Sequence, residues 1–228
     1  ARKMALTVAC SGNLRNIGSA YLMYSLDHQN HLASWAYECL SYDPAPPTPA
    51  PYAPGQYRYY WNEMLAPYLN EGILVYVPAS GTSRYAYFKR GPRSIFKCPG
   101  LGRSVPAQFD PFFTYFSNYG MSRYGIGGEF FNSLYWPIHR MSQVDYPARR
   151  VVIFDTSPWI ALWPEPRPAI GMSIYGHPAN NGYGIDYRHQ RRTNVLWADA
   201  HVSGMDYQQL IAPYPYPVFT KEFPWKGQ

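Results

Sequence analysis

"YRHQRRTNVLWADAHVSG", residues 187–204, is the stretch on which the fold turns. Within and just beyond it, "TNVLWAD" (193–199) and "HVSGM" (201–205) read as two short strands separated by Asp199-Ala200, which predicts an antiparallel hairpin. The best two-residue hairpin turn is Asp-Gly, because a type I′ turn needs positive φ at both central residues. Ala at the second position costs about 1 kcal/mol or more there. A different turn type or a slightly longer loop is therefore expected. His189 falls at the start of the preceding turn, with Asp199 placed to accept a hydrogen bond from it or from loop backbone.

Two other chemistries fit the same letters. Asp186, His189, Asp199 and His201 offer oxygen and nitrogen donors acceptable to zinc or another transition metal. Calcium would want more oxygens. Strand alternation puts Asp199 and His201 on one face only if no turn separates them, so the four are weak metal candidates beside the hairpin reading. A hydrolase needs a nucleophile beside a base, and neither a Gly-x-Ser-x-Gly nor a Cys-Gly-Ser-Cys-type context accompanies these residues. No catalytic residue and no cofactor is expected, and the chain reads as non-enzymatic.

Outward from the hairpin, "RRVVIFDTS" (149–157) is a continuous apolar run bounded by charge and turn residues, which predicts a buried strand. At the other end, Cys10, Leu14, Ile17, Tyr21 and Tyr24 recur at helical spacing and mark one face of a helix that ends near Asp27. Gly18 inside it costs roughly 1 kcal/mol against Ala, which close packing would justify. That helix has no initiating Met and no capping Ser, Thr or Asp before it, so it reads as the continuation of one begun upstream of Ala1.

Between these ends, "YWNEMLAPYLNEG" (60–72) predicts a short helix up to Pro67 closed by Gly72, and "GILVYVP" and "SRYAYFK" predict strands. "SIFKCPG" (94–100) reads as a strand ending in a turn. Pro at 44, 46, 47, 49, 51 and 54 makes residues 43–57 polyproline II, read as a semi-rigid spacer, with a docking ligand for a Pro-binding groove as the alternative. Residues 102–140, rich in aromatics and Gly, read as ordered loops. With no internal repeat, the expectation is one α+β domain, a helix laid on a mostly antiparallel β-sheet with long Pro/Tyr-rich loops.

A net charge of +6 permits attraction to anions, but the basic residues are dispersed, with pairs such as Arg149-Arg150 and Arg191-Arg192. No nucleic-acid function is expected from so diffuse a footprint. Nor is there a run of about 18 apolar residues to span a membrane. Cys10, Cys39 and Cys98 fit no zinc or Cys-x-x-Cys spacing, which leaves one disulfide and a spare, or three thiols.

Four pieces in order, "ACSGNLRNIGSAYLMYSLDHQNHL" (9–32), "WNEMLAPYL" (61–69), "IFKCPG" (95–100), and "VVIFDT" followed by "RHQRRTNVLWADAHV" (188–202), resemble the bacterial prepilin-type proteins with a C-terminal His-x9-Asp-Gly signature, relatives of type II secretion pseudopilins. His189 and Asp199 hold the spacing, and Ala200 stands where the family has Gly. The resemblance implies a type IV pilin-like fold in which residues 1–30 are the C-terminal part of a long helix and 31–228 form the head. Its apolar first half, absent from this chain, would follow a prepilin peptidase site and supply the only membrane contact. The implied protein is a structural subunit of a cell-surface or extracellular filament or a secretion apparatus, anchored in the inner membrane before assembly. Its partners would be copies of itself, a prepilin peptidase and an assembly platform.

An exported chain meets an oxidising environment. Cys10 shares the inward face of the helix, and Cys98 lies in a segment expected to run past it, so Cys10–Cys98 is the favoured disulfide and Cys39–Cys98 the alternative. Trp136, Trp159 and Trp163 in loop-like stretches are expected to face a neighbouring subunit or a ligand, since large aromatics anchor interfaces. The competing reading is a surface carbohydrate-binding or adhesion module in which exposed Trp and Tyr rings stack on sugars.

Overall fold

A computed structural model of the chain describes residues 1–33, 36–38, 57–71, 73–77, 84–89, 94–101, 119–121, 129–130, 140–144, 146–156, 185–206 and 208–209. Cys39, Trp136, Trp159, Trp163 and the Pro-rich stretch 43–56 lie outside them. In chain order the elements are α1 (Arg2–Asp27), β1 (Ala36–Glu38), β2 (Tyr57–Tyr60), α2 (Trp61–Leu65), β3 (Ile73–Val77), β4 (Arg84–Lys89), β5 (Tyr119–Met121), β6 (Glu129–Phe130), β7 (Val151–Asp155), β8 (Thr193–Trp197) and β9 (Val202–Met205). The fold is α+β, with an N-terminal helix and a four-stranded antiparallel sheet ordered β5-β7-β8-β9.

The helix takes the extent its periodicity predicts. Cys10, Leu14, Ile17, Tyr21 and Tyr24 are all buried and share one core with Val152, Ile153, Leu196 and Ala198 from the sheet side. Trp61, Leu65 and Phe96 close the same core, the Trp61 and Phe96 rings meeting edge-on with centroids 5.7 Å apart. Each fully buried Leu or Ile in such a face contributes roughly 1.5–3 kcal/mol of transfer free energy. Val151, Phe154, Val195 and Trp197 belong to a second cluster with Ile185 and Tyr187. Alternation along β8 accounts for this split, Leu196 going one way and Val195 and Trp197 the other. Along β7 the alternation breaks at a register shift between Val151 and Ile153, which lets both Val152 and Ile153 join the helix-side core before Phe154 turns away.

Three expectations need correction. The strands do not form one sheet, because β3-β4-β2-β1-β6 make a separate five-stranded sheet in which β1 runs parallel to β6 and β2 parallel to β4. Residues 94–101 contain no strand; they form turns and a short 3-10 helix at Pro99–Leu101, since Pro99 has no N–H to give a ladder. The stretch 102–140 is not all loop, for β5 and β6 fall inside it. After α2 the chain tightens into a 3-10 turn, Ala66–Leu69, ended by Asn70 in the left-handed region at φ 51° ahead of the predicted Gly72.

Candidate functional site

The predicted hairpin is present, and its loop is the longer one. β8 ends at Trp197, Ala200 N–H donates to Trp197 O at 2.9 Å, and Trp197 N–H donates to His201 O at 3.0 Å. The loop is therefore Ala198-Asp199-Ala200, with Ala200 at φ 68°, the position where such loops favour Gly. Asp199 Oδ1 accepts the His201 N–H at 3.1 Å, the backbone half of its expected role, and also pairs with the His201 ring. A two-residue turn sits nine positions earlier: His189 and Arg192 exchange both backbone hydrogen bonds at 3.0 Å around Gln190 and Arg191, at φ 56° and 65°.

That turn delivers His189 into the seam between α1, the 94–101 segment and the sheet. Cys10 and Cys98 are joined there by a disulfide with Cα atoms 5.3 Å apart. His189 Nε2 lies 3.5 Å from Cys98 Sγ and 3.4 Å from Asp155 Oδ2, and its Nδ1 lies 3.3 Å from Thr7 Oγ1. Asp155, at the end of β7, is fully buried and accepts the Asn194 N–H at 2.6 Å. Gly100 leaves room for the imidazole, because a Cβ there would stand 2.9 Å from His189 Cε1.

Hydrogen bonds tie the helix to this seam from its polar positions. Ser11 donates to Asn194 Oδ1 at 2.9 Å, and Asn13 donates to the Lys97 carbonyl at 3.1 Å. Tyr119 receives a weaker bond from Asn13, and burial, helped by the nearby Asp155 carboxylate, drives its phenol pKa up. Asp186 pairs with Arg188 at 2.9 Å; burial first raises its carboxyl pKa, and Asp155 adds to that, while Arg188 and His189 pull it down.

The four sequence-predicted metal candidates do not gather. His189 turns to Asp155 and the disulfide, Asp186 to Arg188, and Asp199 and His201 to each other. The expected separation of Asp199 from His201 by the turn does not occur, since the turn brings their side chains together, and β8 instead separates this pair from Asp186 and His189. Sequence reasoning missed Asp155, Thr7 and Asn194 as partners of the seam. The available signal was the carboxylate closing the wholly apolar "VVIF" run, since a buried acid needs partners.

No protein-family model, no curated protein and no solved structure matches this chain.

Proposed function

We propose that this protein is a non-enzymatic pilin-like or pseudopilin-like subunit that assembles through α1, with copies of itself as neighbours. The observation that carries the reading is two pairs of exposed apolar residues near the two ends of the helix. Met4, Val8, Met23 and Leu26 are each more than half exposed. At about 100° per residue Val8, Met23 and Leu26 fall on the side opposite Cys10, Leu14, Ile17 and Tyr21, and Met4 lies at the flank. Exposed Arg15, Asn16 and Ser19 separate the two pairs, so the helix offers two apolar contact points on its outward side in addition to its buried inward face.

The long N-terminal helix over an antiparallel sheet, and a His189–Asp199 segment that ends in a hairpin against that helix, support the same reading. No helix among the described residues is long and apolar enough to cross a membrane. The peptidase, assembly platform and surface location rest on the family resemblance.

Immunogold electron microscopy of native cells, with antibody to this chain, tests the proposal. Label should follow filaments or the cell envelope, and Met4→Glu with Val8→Glu should abolish assembly while the domain still folds. Recovery of the native protein as a soluble cytoplasmic monomer would sink it. Retention on polysaccharide, with no filament label, would instead favour the carbohydrate-binding reading.

A further inference from the structure

The seam at His189 holds a donor set that suits a metal better than it suits a plain core. Thr7 Oγ1 donates to the Lys3 carbonyl at 3.0 Å, so its own hydrogen is used and its lone pairs face His189 Nδ1 at 3.3 Å. With the imidazole hydrogen on Nδ1, facing those lone pairs, Nε2 is left with its own lone pair to give to a metal. Nε2 then points at two further electron-pair donors, Cys98 Sγ at 3.5 Å and Asp155 Oδ2 at 3.4 Å. Cys10 Sγ, Cys98 Sγ and a His189 ring nitrogen lie within 4.8 Å of one another, a group of three with the Asp155 carboxylate standing beside it.

Tetrahedral zinc, with bonds of about 2.3 Å to sulfur and about 2.0 Å to nitrogen and oxygen, has a sulfur–nitrogen edge of roughly 3.5 Å and a nitrogen–oxygen edge of roughly 3.3 Å. Two edges of the site therefore already have zinc dimensions. Outer partners are in place as well: Thr7 on the imidazole Nδ1 and the Asn194 amide on the carboxylate, the arrangement that fixes ligand orientation in metal sites. All four donor residues are buried, which excludes competing water.

We propose that the chain with Cys10 and Cys98 reduced binds one Zn2+ through Cys10 Sγ, Cys98 Sγ and His189 Nε2, with Asp155 Oδ2 moving in from beside Nε2 as the fourth ligand, and that the disulfide is the alternative state of the same site. A dithiol reductant supplies two electrons and two protons to the Cys10–Cys98 bond, giving two thiols and leaving the reductant as its disulfide. Zinc binding then releases both thiol protons and sets two thiolates on the ion. In the oxidised state two of the four donors are consumed in the sulfur–sulfur bond, so the states exclude one another. The proposal does not depend on assembly.

Cobalt titration of the full chain tests it. After reduction, removal of the reductant without air and addition of Co2+, one equivalent should bring up the visible bands of tetrahedral cobalt and a thiolate-to-cobalt charge-transfer band. Zn2+ should bleach both. The oxidised chain should show neither. His189→Ala should weaken binding by more than the roughly 10- to 100-fold that loss of an outer partner costs, and Thr7→Val should fall within that range. If His189→Ala does not fold, His189→Gln replaces it and should show the same loss. A reduced wild type without the charge-transfer band, equal cobalt binding by the oxidised chain, or full affinity in the folded His189 variant each overturns the site.

Discussion

Gly18 of α1 lies so close under Leu196 of β8 that a Cβ at position 18 would stand 2.7 Å from Leu196 Cδ1, with Ala200 Cβ at 3.2 Å. The helix and the hairpin thus touch through a missing methyl group. Gly12, in the same helix, has open space where its Cβ would be. Gly18→Ala gains about 1 kcal/mol of helix propensity but overpacks a closed core, at about 1–3 kcal/mol, so a net loss of about 1 kcal/mol is expected. Gly12→Ala should gain up to about 1 kcal/mol. Urea unfolding of the pair checks this: midpoints that move in the same direction would show that the contact does not limit the packing.

The two turns of the hairpin region carry removable strain. Ala200, Gln190 and Arg191 all have positive φ, which costs a residue with a Cβ roughly 1–2 kcal/mol in the left-handed region. Ala200→Gly should stabilise by about 1 kcal/mol after the added freedom of the unfolded chain is subtracted. Gln190→Asn with Arg191→Gly, the pair a type I′ turn prefers, should do at least as well. Calorimetric midpoints that fall in these variants would mean the loops are held by side-chain contacts rather than limited by backbone strain.

How far the sequence could be read follows from the same residues. Periodicity located the inward face of α1, because each of Cys10, Leu14, Ile17, Tyr21 and Tyr24 meets a neighbour one turn away on the same helix. The buried run "VVIFD" marked β7, though not the register shift that turns Val152 and Ile153 to one side. Asp199-Ala200 pointed to a hairpin and the loop is longer than two residues, but Ala200 still takes the positive φ whose cost argued for the change. The partner of His189 was not legible. Its proximity to Asp155 is made by the tertiary packing of β7 against the Gln190-Arg191 turn, and no local spacing encodes that. The division into two sheets was equally hidden, since strand propensity does not say which strands pair.

The Cys10–Cys98 bond closes a loop across a sequence separation of 88 residues. The chain-entropy model assigns such a loop about 4 to 5 kcal/mol, less any native strain. Replacing both cysteines by Ala should cost most of that, and the loss should appear as a lower denaturant midpoint. Non-reducing peptide mapping supplies the direct check: a bridge from Cys39 to Cys98, or three free thiols, would reject the pairing and the oxidising compartment it suits.

Acid should loosen the end of α1. His28 is buried with neither ring nitrogen hydrogen-bonded, its ring lying 4.1 Å from that of Tyr24. Burial lowers its pKa first, Asp27 partly restores it, and His31 lowers it again. His31 is lowered likewise, by burial and then by Arg140. Both imidazoles therefore bind fewer protons folded than unfolded, so this stability is complete above the unfolded value near 6.5 and declines as pH falls below it. Asp186, whose raised carboxyl pKa favours the fold as pH falls, acts with the opposite sign. Comparing wild type with His28→Phe cancels that contribution. Between about pH 7 and pH 5 the wild-type melting temperature should drop more steeply than that of the variant, since the phenyl ring keeps the Tyr24 contact and takes up no proton. Parallel curves would show that His28 reaches solvent before it titrates.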